Sequence, residues 1–248
     1  DASFAKDVLL VKDIDMEGIE WTPIEGYANT VLGNGYAIKN LSAPLFGTTN
    51  ASFKGLHLQV NMNSNNRARF GALACYIKAT DTATPTVDHC TVSGTVTINN
   101  TEGVDITAAA NDTDLNFGGM FGRADGVRIT DTENKATINV TQMVSSSTAT
   151  IRGLVGGLVG HANAFKQSNG TIVPTKYINV VNSGDINYNA TTEVDKKVGA
   201  RVGGISGTIS GETNNNKCVF ENCTNTGDIT VHSTDCDVDN YCAGICPV

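Results

Sequence analysis

The chain has 248 residues, a formal net charge of -8 and a pI near 4.9. That acidity removes the basic footprint a nucleic-acid binder needs, and no run of about 18 apolar residues exists to span a bilayer. Hydrophobic residues make up 40%, aromatics only 6% and charged residues 17%, with 26 Gly, a mix that suits many short strands and turns rather than amphipathic helices.

The N-terminal stretch, "DASFAKDVLL", is no signal peptide; the chain is either cytosolic or has lost its leader. From residue 70 onward one phrase recurs: "FGALAC" at 70, "FGGMFG" at 117, "VGGLVG" at 155, "VGGISG" at 202 and "CAGIC" at 242. Its apolar centres are Leu73, Met120, Leu158, Ile205 and Ile245. A second phrase follows each of the first four: "CTVSGTVTI" at 90, "TENKATINV" at 132, "VVNSGDINY" at 180 and "CTNTGDITV" at 223. Aligned, these give a Cys90, Thr132, Val180, Cys223 column and a Val92, Asn134, Asn182, Asn225 column. Gly94, Ala136, Gly184 and Gly227 follow, then Val96, Ile138, Ile186 and Ile229. Three residues before the first column stand Val87, Ile129, Tyr177 and Phe220.

A period of roughly forty residues without helical spacing points to a propeller blade or a β-solenoid coil. Each unit reads as three short strands, the "GGLVG" phrase being the first, whereas a blade needs four. The expected fold is therefore all-β: a single-stranded right-handed parallel β-helix of about five to six coils, three short strands per coil. It forms one domain over 1–248, with N-terminal strands and a first coil over 1–42, repeated coils over 43–241, and an incomplete final coil over 242–248. Apolar columns line a continuous core, and Asn134, Asn182 and Asn225 stack as an amide ladder at the strand spacing of about 4.8 Å. The polar stretches between phrases are corner insertions, where outside contacts are expected.

Gly157-Leu158-Val159-Gly160 resembles the Gly-Leu-hydrophobic-Gly phrase of the GLUG-repeat family of bacterial surface proteins. "KDIDMEGIEWTPIEG" (12–26) and "VLGNGYAIKNL" (31–41) are similar to the opening of those proteins, and "APLFGTTNASFKGLHLQV" (43–60) to the coil that follows. The likeness covers roughly 7–246. It implies secretion or surface display, adhesion, and assembly into larger polypeptides. One departure is that the last copy stops at "CAGICPV", so the chain is a fragment or the coil is completed by something else.

Candidate chemistry is sparse. Asp185 and Asp228 share an outward column in neighbouring coils, where paired carboxylates could do acid/base work; turn Asp residues more often bond backbone. Asp235, Asp237 and Asp239 alternate like the start of a calcium loop. Asn240 and Cys246 stand where an EF-hand needs Gly and Glu, so only an irregular calcium site remains, and no other cofactor is implied. His57, His89, His161 and His232 are scattered, with no H-E-x-x-H, G-x-S-x-G or P-loop. Five of the seven cysteines fall after residue 217 without paired C-x-x-C zinc spacing. That cluster favours an exported protein with disulfides drawn from Cys218, Cys236, Cys242 and Cys246. Cys90 and Cys223 read as core thiols.

The expectation is thus a non-enzymatic, secreted or cell-surface adhesion protein. Its loops bind glycans or host and cell-surface proteins, without nucleic acid and without membrane insertion in this segment. A polysaccharide lyase or hydrolase is the rival reading. Self-association through the open C-terminal coil, as a filament subunit stacking end to end, is a third.

Overall fold

In the computed structural model, residues 6–65, 68–100, 114–144, 151–192, 198–210, 218–234 and 241–247 are described. Four parallel sheets and one small antiparallel pair account for the described strands. The first sheet holds seven short strands, from Val8–Leu9 through Thr30–Leu32, Ser52–Lys54, Thr86–Asp88, Arg128–Thr130 and Lys176–Ile178 to Val219–Glu221. The second holds ten, from Ile14–Asp15 to Ile229–Thr234, and includes the long strands His57–Asn65 and Thr91–Asn100. The third runs Arg69–Gly71, Asp114–Gly118, Ile151–Gly156, Val198–Gly203, Tyr241–Ala243. The fourth runs Phe46–Thr49, Ala74–Lys78, Phe121–Asp125, Val159–Asn163, Ser206–Ser210. Phe165–Lys166 and Ile172–Val173 form the antiparallel pair.

This corrects the expected right-handed β-helix of three short strands per coil. The strands lie in several parallel sheets packed side by side, and the third and fourth approach each other backbone to backbone at their glycines. The error sits in the "GGLVG" phrase. It is not one strand but a corner: Gly118 ends a strand of the third sheet and Phe121 begins one of the fourth, with Gly119 and Met120 between. Successive corners bond to each other, Met120 N donating to Leu158 O at 3.0 Å and Leu158 N to Ile205 O at 3.0 Å. Leu73, Met120, Leu158 and Ile205 are inserted from these corners into the core, all at or below 1% exposure. The glycines let the two layers meet: a Cβ on Gly122 would lie 2.7 Å from Phe70 N, and one on Gly160 2.4 Å from Phe117 N.

Like residues pair with like because parallel strands of successive repeats meet in register. Val31, Phe53, Val87, Ile129, Tyr177 and Phe220 form one continuous row in the first sheet. Val96, Ile138, Ile186 and Ile229 form another in the second. All but the last member of each row are buried. The corner from the first sheet to the second passes through a left-handed residue in each repeat: Gly55 (φ 57°), His89 (51°), Asp131 (48°), Asn179 (54°) and Asn222 (52°). Gly, Asn and Asp bear that conformation best.

The two phrases are also packed against one another. A Cβ on Gly119 would meet Asn134 Oδ1 at 2.4 Å; Gly157 stands in the same relation to Asn182, and Gly204 to Asn225. Where Ala72 replaces the glycine, the partner column holds Val92. Buried, the Asn side chains form a directional chain. Asn134 Nδ2 donates to Asn182 Oδ1 at 2.8 Å, and Asn182 Nδ2 to Asn225 Oδ1 at 2.7 Å.

Candidate functional site: a cleft at Trp21

The chain has one Trp, and it stands at a cleft of about 410 Å³. Trp21 precedes Pro23, in a segment that joins the second sheet to the bridge Ile24–Phe46. Its indole N–H is shared between Pro44 O at 3.1 Å and Leu45 O at 3.2 Å, which holds the half-buried ring in place. Thr22, Ser42, Asn63 and Ser64 line the cleft beside it, with Phe70 and Pro44 as apolar floor. No charged side chain lines it among the described residues. An oriented aromatic face ringed by hydroxyls and amides can stack on an apolar face of a ligand while bonding its polar edge.

Two other clusters carry charge. Tyr76 donates to Asp125 Oδ2 at 2.5 Å, and Arg123 Nε to Asp125 Oδ1 at 3.0 Å. The Arg69 and Arg123 guanidiniums lie 5.4 and 5.3 Å from the Tyr76 ring centroid. Burial, then the Asp125 charge, pushes the Tyr76 phenol far above its ordinary range, so Tyr76 serves as a fixed donor and not as an acid or base. Asp88, His89 and Asp131 bring one ligand atom each within 4.8 Å of one another at the first corner. They could hold a divalent cation, although the Lys54 ammonium already lies 3.7 Å from Asp88 Oδ2.

The residues singled out from the sequence fall in several places. Asp185 and Asp228 are exposed neighbours, and an Asp185 carboxylate oxygen accepts the Asp228 backbone N–H at 3.0 Å. Asp235, Asp237, Asp239 and Cys236 lie outside the described residues. Cys218, Cys242 and Cys246 carry no disulfide. His57 Nδ1 meets Thr91 Oγ1 at 2.8 Å, and His161 Nε2 meets Ser210 Oγ at 2.8 Å, far from each other in the repeat series. Reading the sequence did not single out Trp21 as a site. The available signal was its uniqueness in a chain poor in aromatics, next to Thr-Pro.

The thiols yield a graded expectation. Burial pushes Cys218 up to about 12, and Cys90 and Cys246 up to about 11, from an ordinary 9.0. Cys242 is exposed. Alkylation of the native chain at pH 8, read site by site by mass spectrometry, labels Cys242 before the other described thiols and Cys90 only on unfolding. Equal rates at both would place Cys90 outside the core. The sign for stability follows: these thiols are neutral in the fold, so their contribution is whole below pH 9 and is lost as pH rises through about 11 to 12.

Together these features define an all-β protein of stacked parallel sheets with an uncharged aromatic cleft. No family model matches the chain, and no curated protein matches it. Among solved structures it is similar to a chain described as a "putative immunoglobulin A1 protease" from Bacteroides ovatus, with a TM-score of 0.56 and 17% identity over 96% of this chain and 77% of that one. At that identity the likeness is one of fold.

Proposed function

We propose that this chain is a non-enzymatic, exported cell-surface adhesion protein of the GLUG-repeat kind, and that the cleft at Trp21 binds an uncharged glycan. The observation that carries the reading is the pinned Trp21 ring facing a cleft lined by Thr22, Ser42, Asn63 and Ser64. A sugar ring offers one face of C–H groups and a rim of hydroxyls, which suits that combination. The parallel ladders behind it supply a rigid backing, so the site needs little ordering on binding. The rival polysaccharide-processing reading leans on Asp185 and Asp228, and there the Asp185 carboxylate is already used to tie one repeat to the next. A glycan array tests the proposal. The wild-type chain is expected to bind a set of neutral glycans, and Trp21→Ala to lose at least about tenfold in affinity, the equivalent of about 1.4 kcal/mol. Undiminished binding by Trp21→Ala would remove the cleft from the account.

A further inference from the structure

The Trp21 cleft shares a residue with a sheet face. Asn63 lines the cleft and also stands, exposed, on the outer face of the second sheet, in the strand His57–Asn65. In-register pairing continues from Asn63 through Thr97 and Asn139 to Asn187. At the strand spacing of about 4.8 Å, this column runs about 14 Å away from the cleft. A second column, Asn65, Asn99, Thr141 and Asn189, runs beside it. All eight side chains are exposed or half-exposed. None is charged and none is a plain hydrocarbon, in a chain with 17 Lys and Arg and 25 Asp and Glu.

These amides are oriented before any ligand arrives. Asn99 Nδ2 donates to Asn63 Oδ1 at 3.1 Å, and Asn187 Nδ2 to Asn139 Oδ1 at 3.0 Å. A primary amide has two N–H protons and two acceptor lone pairs, so one such bond fixes the group without exhausting it. The residues that alternate with the columns, Ile98, Val140 and Tyr188, are fully buried, so the strands behind them are anchored in the core. Little ordering is left for binding to supply.

A row of amides and hydroxyls repeating at the strand spacing suits a linear chain of sugars, whose hydroxyls both donate and accept and recur with every unit. A polypeptide laid on the same face would find no backbone edge to pair with and no apolar pocket for its side chains. An acidic polymer would meet a chain of net charge -8, with Asp185 exposed two residues before Asn187. We infer that the ligand of the Trp21 cleft is a linear neutral polysaccharide, one sugar stacked on Trp21 and the following units laid along the column from Asn63 to Asn187. The inference rests on the cleft reading and goes beyond it in requiring several consecutive units.

Affinity electrophoresis of the 248-residue protein in native gels containing β-glucan, α-glucan, xylan, mannan or galactan identifies the polymer. Calorimetry then compares the disaccharide and the hexasaccharide of the polymer that retards it. The hexasaccharide is expected to bind at least about tenfold more tightly than the disaccharide. Asn139→Ala combined with Asn187→Ala removes that advantage and leaves disaccharide binding unchanged, which also shows the variant to be folded. Trp21→Ala weakens both ligands. Equal affinities for the two ligands, both lost in Trp21→Ala, would overturn the inference and leave the cleft reading standing. So would a hexasaccharide advantage that survives the double substitution, or retardation by none of the five polymers while short glycans on an array still bind through Trp21. Undiminished binding of both ligands by Trp21→Ala would overturn the inference and the cleft reading together.

Discussion

Gly160→Ala abolishes the native fold. The added Cβ would lie 2.4 Å from Phe117 N and 2.8 Å from both Gly122 O and Leu154 O. All three neighbours are backbone, held in the ladders of the third and fourth sheets, so none can rotate away. Separating the layers would break parallel pairing on both sides and open the core beside Phe117, Phe121 and Leu158, each fully buried. Overpacking of this kind costs more than about 4 kcal/mol, against a total stability on the order of 5 to 15 kcal/mol. Gly244→Ala is the control, since a Cβ there meets nothing within 4 Å. Soluble yield and far-ultraviolet circular dichroism read the outcome. A cooperative melt of Gly160→Ala near that of the wild type would mean that the two layers are not in contact.

Asn182→Ala is the second large effect. Asn182 is fully buried, donates to Gly184 O at 2.8 Å and Asn225 Oδ1 at 2.7 Å, and accepts from Asn134 at 2.8 Å. Truncation strands a buried donor on Asn134 and a carbonyl on Gly184, each costing about 1 to 3 kcal/mol. A net loss of about 2 to 4 kcal/mol lowers Tm by about 5 to 15 °C in a chain of this size. The outer ladder gives the contrast. Asn187 Nδ2 donates to Asn139 Oδ1 at 3.0 Å on a half-exposed face, where water replaces the lost partner. Asn187→Ala is expected to shift Tm by no more than about 2 °C. Similar shifts for the two variants in calorimetry would contradict the burial of the inner ladder.

What the sequence made legible was the columns. Val87, Ile129, Tyr177 and Phe220 align in the primary structure because each sits on its predecessor in a parallel sheet, and register preserves residue type. The number of sheets was hidden. "GGLVG" has the apolar content of a short strand, and no period separates a strand from two strand ends joined by a corner. The distinction rests on Gly118 and Gly119, whose missing Cβ atoms leave room for Leu158 O and Gly157 O of the next repeat, contacts that arise only once repeats stack. Nor does periodicity mark Asn222, beside the Cys223 column, as a left-handed corner residue at φ 52°. The cleft was hidden for a related reason. Trp21, Ser42 and Asn63 are far apart in sequence and meet only because successive repeats stack.

The proposed glycan site has its own spectroscopic reporter in the Trp21 ring. As the chain has one Trp, its emission reports on that site alone. Titration with a neutral oligosaccharide that binds on the array should shift and change Trp21 emission in a saturable way, with a midpoint equal to the binding constant measured independently by calorimetry. Binding by calorimetry without any change in Trp21 emission would place the ligand elsewhere and contradict the assignment.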